Sequence, residues 1–138
     1  MSLIAVSGPV SIGEAQRLGI DRTLEAWLGE GDTLVTGGAY GVDTRAALWA
    51  LGEGIRVVLI VPRSLLWHRE LRACSGTSLI EVDGSYMDRN EAIAEFAHQL
   101  IAFPHTKREH LRSGTWATVR RFEARMKPTV IQPLSVFK

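Results

Sequence analysis

Short apolar runs rich in β-branched residues alternate along this chain with stretches whose apolar positions recur at helical spacing. Residues 3–6 form the first run, which breaks at Ser7-Gly8-Pro9. Residues 11–28 carry a helical pattern, with a break expected near Gly19. Residues 33–36 form a second run that ends at Gly37-Gly38. The next stretch, 43–51, sets Ala46, Ala47, Ala50 and Leu51 on one face, a helix small enough to pack closely on a sheet. Residues 55–61 are apolar at nearly every position, as a strand buried on both faces requires, and Pro62 ends them. A short helix is expected within 64–73, a fourth strand at 78–82 and a helix at 88–97 with Ile93 and Phe96 facing inward. A fifth strand at 99–103 stops at Pro104, and a polar loop, 105–112, leads to Ser113-Gly114-Thr115. A helix then runs to about residue 126, and 129–132 form a last strand.

Strands alternating with helices predict an α/β fold: a three-layer, Rossmann-like, mostly parallel doubly wound sheet with helices on both faces. Ligands of such sheets bind beyond the carboxyl ends of the strands. The turns Ser7-Gly8, Gly37-Gly38 and Ser113-Gly114-Thr115 are all expected at those ends.

The chain of 138 residues is enough for one domain, read here as spanning 1–138. Hydrophobic residues are 46% and charged residues 22%, a globular balance. A net charge of +1 argues against a generally basic nucleic-acid coat but leaves room for a local basic patch. Cys74 is the sole cysteine, so no intrachain disulfide forms and a reducing compartment fits. The start has no basic segment typical of a signal peptide, and no apolar run is long enough for a bilayer; a cytoplasmic protein without membrane contact is expected.

The sharpest candidate chemistry lies in Thr36-Gly37-Gly38-Ala39-Tyr40-Gly41-Val42-Asp43, between a strand and a helix. Glycines there let the backbone approach a ligand, and a helix start offers N–H groups and a positive dipole end, which suits phosphate. No Gly-Lys-Ser/Thr follows, so it is not a Walker A loop, and the spacing is not that of a dinucleotide fingerprint; NAD is not expected. A tight turn with no ligand is the competing reading. Ser113-Gly114-Thr115 repeats the pattern, against simple N-capping. Arg89 could clamp a phosphate, or pair with Asp88 or Glu91 at a solvated helix start. The basic loop 105–112 is either a cover for an anionic ligand or a solvated loop. His105 and His110 complete no zinc set, and no G-x-S-x-G elbow is present, so no metal and no hydrolase triad are expected. The four tryptophans read as packing residues, Trp116 being the one placed to stack on a base.

Three ordered segments resemble the superfamily that joins the DNA-processing protein A (Smf) family with the Lonely Guy phosphoribohydrolases. They are the stretch from Val35 to Ala47 with its Gly-Val-Asp, Met87-Asp88-Arg89-Asn90-Glu91, and Ser113-Gly114-Thr115-Trp116-Ala117-Thr118; Ala5-Val6-Ser7-Gly8 also suits the family's first strand and turn. The resemblance implies a nucleotide-type site formed by Ser7, Gly8, Gly37, Gly38, Gly41, Asp43, Arg89, Asn90, Ser113, Gly114, Thr115 and Thr118. It implies a homo-oligomer. Its expected ligand is a nucleotide or another phosphate-bearing small molecule, with no cofactor and no assignable catalytic residue. Two alternatives stay open: single-stranded DNA binding in the Smf manner, and cleavage of a nucleotide's glycosidic bond in the Lonely Guy manner. The last is disfavoured because Thr118 stands where the resembling enzymes carry a catalytic glutamate.

Overall fold

The computed structural model describes residues 1–137. In chain order it contains β1 (Leu3–Ser7), α1 (Glu14–Trp27), β2 (Thr33–Thr36), α2 (Val42–Gly52), β3 (Arg56–Pro62), β4 (Thr77–Val82), α3 (Tyr86–Phe96), β5 (Gln99–Ala102), α4 (Gly114–Ala124) and β6 (Thr129–Ile131). The strands form one six-stranded sheet in the order β4-β3-β2-β1-β5-β6. Every neighbouring pair is parallel. Winding proceeds outward from β1 to β4 and then reverses to β5 on the other side of β1, so the sheet's switch point lies between β1 and β5.

Alternation along the strands divides the core into two layers. On one face Ile4, Leu34, Val57 and Leu59 pack against Ile20 and Leu24 of α1 and Ala46, Ala47 and Ala50 of α2. On the other, Ala5, Val35, Ile60 and Leu100 meet Ile93 and Ala94 of α3 and Trp116, Val119 and Phe122 of α4. The helices are also tied in pairs by charge. Arg45 of α2 pairs with Asp21 of α1, and Glu91 of α3 with Arg121 of α4 and with Arg125 just after it. The Lys127 ammonium donates to the carbonyls of Ala94, Glu95 and Ala97, satisfying acceptors at the carboxyl end of α3.

Several local expectations are corrected. Gly19 does not interrupt α1; it is buried against Phe137, where a larger residue would not fit. Between 64 and 73 there is only a 3-10 turn, Arg69–Ala73, after Trp67 has entered the core. Phe96 does not face inward but is 37% exposed. The buried stripe of α3 runs through Arg89, Asn90, Ile93 and Ala94, and Phe96 falls outside it. Trp116 is packed into the α4 core and does not stand free to stack on a base. No described helix is long and apolar enough to cross a membrane.

Candidate functional site

A cleft of about 640 Å³ opens at the switch point. That is mid-range for clefts that hold small molecules, about 300–1,000 Å³. Its walls come from the turn after β1 (Ser7, Gly8), the turn after β2 (Gly37, Tyr40, Asp43), the start of α3 (Tyr86, Arg89, Asn90) and, beyond β5, Ser113, Gly114 and Thr115. A parallel sheet puts all these segments on one edge because every strand ends on the same side. Of the predicted site residues, nine line the cleft: Ser7, Gly8, Gly37, Asp43, Arg89, Asn90, Ser113, Gly114 and Thr115.

Gly38, Gly41 and Thr118 do not line it. The side of Gly38 that a Cβ would occupy faces Trp67 and Val61. Gly41 caps the start of α2 at φ +79°, and a Cβ there would run into the backbone of Pro9 and Val10, so glycine is needed to let the turn after β1 pass the start of α2. Thr118 is buried, its hydroxyl donating to the Gly114 carbonyl at 3.1 Å, one helical turn back. The Thr118 side chain thus closes on the backbone of its own helix.

The Gly37-Gly38 turn already holds an anion, and it is the protein's own. The Ala39 N–H donates to Asp43 Oδ2 at 3.2 Å. Burial raises the Asp43 pKa from 3.8 to about 6, opposed by the Arg89 charge and by the Ala39, Thr36 and Gly37 donors around the carboxyl. A phosphate expected against this turn would have to compete with that carboxylate. Arg89 completes the arrangement. Its Nη1 donates to the Gly37 carbonyl at 2.7 Å and its Nε to Asn90 Oδ1 at 2.9 Å. A Cβ on Gly37 would overlap the guanidinium, so the glycine makes room for the arginine. Burial lowers the Arg89 pKa, with Asp43 and Tyr86 acting in the other direction, and a guanidinium still keeps its charge.

Asp88 and Glu91 are not the partners of Arg89. Asp88 accepts from the Ser85 N–H at 2.7 Å in the capping box of α3, and Glu91 binds Arg121 and Arg125. Two contacts leave further guanidinium donors of Arg89 to face the cleft.

The start of α4 differs. Ser113 Oγ accepts from Trp116 N at 3.3 Å, capping one early N–H. Gly114 and Thr115 occupy the first helical positions, whose N–H groups have no intrahelical acceptor. Around Gly114 nothing lies within 4 Å of where a Cβ would be. An anion can approach this helix end with its dipole favouring negative charge.

Aromatic and apolar walls were not legible as site residues. Tyr40, Trp67, Tyr86, Met87 and Leu66 all line the cleft, with His105 at the start of the basic loop. Tyr40 and Met87 sat inside recognised segments, but nothing in sequence separates a cleft-facing tyrosine from an exposed one.

No family model matches the chain, and no curated protein matches it. Solved structures do. DNA processing protein A from Streptococcus pneumoniae superposes with a TM-score of 0.76 at 18% identity, over 94% of this chain and 50% of that one. The same protein from Helicobacter pylori, solved with attention to its single-stranded DNA binding mode, gives 0.68 at 18%, over 94% and 64%. The molybdenum cofactor binding protein of Rippkaea orientalis gives 0.69 at 19%, over 96% and 76%. The present chain thus spans about half the length of the pneumococcal protein. At these identities the likeness concerns the fold alone: the chain has the Rossmann-like α/β fold seen in DNA processing protein A and in the molybdenum cofactor binding protein.

Proposed function

We propose that this protein binds a small phosphate-bearing ligand of the nucleotide type in the switch-point cleft, without a catalytic step of its own. One observation carries the reading: the open amino end of α4 and the Arg89 guanidinium face the same cleft of about 640 Å³. Gly114 and Thr115 offer backbone donors for a phosphate, and Arg89 offers the one fixed positive charge among the lining residues. The fold shared with a molybdenum cofactor binding protein supports a small-molecule cargo. Gly114→Asp tests the site, because it sets a carboxylate in open space at the helix start. Calorimetry against nucleoside mono-, di- and cyclic phosphates should show binding to the wild type and a loss of at least tenfold in the variant, with an unchanged melting temperature. Undiminished affinity removes the α4 end from the site.

Single-stranded DNA binding is the second reading. It is supported by the fold shared with DNA processing protein A and by exposed Lys107, Arg108, His110 and Arg112 beside the cleft. A backbone binder loses affinity linearly in log–log plots against salt, with a slope that counts the phosphates contacted. A flat salt profile for an oligonucleotide excludes this reading. Self-association belongs to the same proposal: β4 leaves an unpaired sheet edge with Leu79 and Ile80 exposed, and light scattering would show a mass above that of one chain.

A further inference from the structure

Tyr40 lines the cleft with its ring stacked on His68 and nearly half of the residue exposed. Its ring stacks on His68, centroids 4.6 Å apart and planes 15° from parallel. His68 is itself held from two sides. Its backbone N–H donates to the Gly38 carbonyl at 2.7 Å, and its Nδ1 meets Thr44 Oγ1 at 2.9 Å. The Thr44 hydroxyl donates to the Ala39 carbonyl at 2.7 Å, so it accepts from Nδ1. Tyr40 lines the cleft while His68 does not, and Tyr40 remains 45% exposed. An exposed tyrosine normally samples rotamers freely; this one is backed by an imidazole pinned to the Gly37-Gly38 turn. Across the start of α3, Tyr86 is also held, its hydroxyl donating to the Leu66 carbonyl at 2.9 Å and its ring lying 5.3 Å from the Arg89 guanidinium carbon.

We infer that Tyr40 is a preorganised stacking platform that selects ligands carrying a flat aromatic ring, with His68 as the residue that positions it. This rests on the proposed small-molecule site and assigns its ring end. The ring lies on the face of Tyr40 opposite His68, and the anionic end points away from it toward α4. An open aromatic face attracts any base because every base has a π-face, so the platform selects ring over no ring and discriminates weakly among bases. Ordering the tyrosine before binding removes part of the entropy cost of immobilising it afterwards.

The experiment compares three probe classes by calorimetry on the full chain: the four ribonucleosides, their 5′-monophosphates, and ribose 5-phosphate. Tyr40→Ala is expected to weaken nucleosides and nucleotides by about tenfold to a hundredfold, the range of base–aromatic stacking, and to leave ribose 5-phosphate unchanged. Tyr40→Phe should bind like the wild type. His68→Ala should cost less than Tyr40→Ala, and His68→Phe, which keeps a flat backing ring, should restore the loss. Equal affinity of the wild type for ribose 5-phosphate and the nucleotides, or full nucleotide affinity in Tyr40→Ala, overturns the platform. The phosphate reading fails separately: nucleosides bound in a Tyr40-dependent way, with monophosphates no tighter and ribose 5-phosphate unbound, would remove the phosphate site and keep the platform. A wild type that binds none of the probes overturns both.

Discussion

Two turns of this molecule carry the same sequence signal and have opposite fates. Gly37-Gly38 and Ser113-Gly114-Thr115 each join the end of a strand or its loop to a helix, and each reads as an anion cradle. In the first, Asp43 takes the Ala39 N–H and Arg89 takes the Gly37 carbonyl, so the turn is occupied from within the chain. In the second, the capping serine takes one N–H and the space around Gly114 stays empty. The difference teaches that a glycine turn becomes a ligand site only when no nearby side chain completes it. Asp43 lies in the first turn of α2, whereas the first turn of α4 contains no acid.

The sharpest way to break this comparison is to remove the arginine. Arg89→Met leaves the Gly37 carbonyl and Asn90 Oδ1 without their donor and removes a positive charge near buried Asp43; a buried polar group left unsatisfied costs about 1–3 kcal/mol. Urea denaturation should show that loss, and Asp43→Asn in the same chain should recover part of it. An Arg89→Met protein of wild-type stability would mean that the Gly37 turn is not latched. The arginine would then face the ligand alone, as the sequence by itself implied.

Acidity provides the next test. Asp43 has a folded-state pKa raised to about 6, so it favours the folded state when protonated. Its contribution is full below 3.8 and is lost as pH rises through about 6. The shift corresponds to about 3 kcal/mol. Stability of Asp43→Asn measured relative to the wild type should therefore rise by about that amount between pH 4 and pH 7. A pH-independent difference would show that the carboxyl is not confined as described.

At α4 the predictions reverse: large effects on binding, small ones on folding. Gly114→Asp should reduce nucleotide affinity at least tenfold while changing stability by no more than about 0.5 kcal/mol, the range of surface substitutions. A stability loss of several kcal/mol would show that this turn is as closed as the other. Ser113→Ala removes the cap from Trp116 N and should cost about 1 kcal/mol in thermal unfolding, a smaller loss than those expected at the Gly37 turn.

Sequence reasoning found both turns because strand-to-helix junctions with glycine are local features. It raised Arg89 as a phosphate clamp at a helix start and added Asn90 through a resemblance, and the cleft brings Arg89 to Gly37 across 52 positions of sequence separation. It missed which donors were already satisfied. It also missed the aromatic wall: Trp116 drew attention by adjacency to Thr115, yet Trp67 is the tryptophan that lines the cleft. Adjacent residues on a helix lie about 100° apart around its axis, so a neighbour of a site residue generally faces elsewhere.

The alternation of apolar runs and helical stretches determined the layers, the parallel sheet and the edge on which the site lies, because periodicity and turn chemistry act over a few residues. Phe96 marks the limit of that reach, since a helix's buried stripe is set by what it packs against. Only the tertiary structure decided the strand order, and with it the switch point between β1 and β5. It alone decided that Asp43 and Arg89 would fill one turn, that α4 would stay open, and that His68 would hold Tyr40 against the cleft. Those outcomes depend on which side chains from distant segments reach the same few ångströms. Burial and hydrogen bonding settle such competition in three dimensions, where sequence spacing carries no information about it.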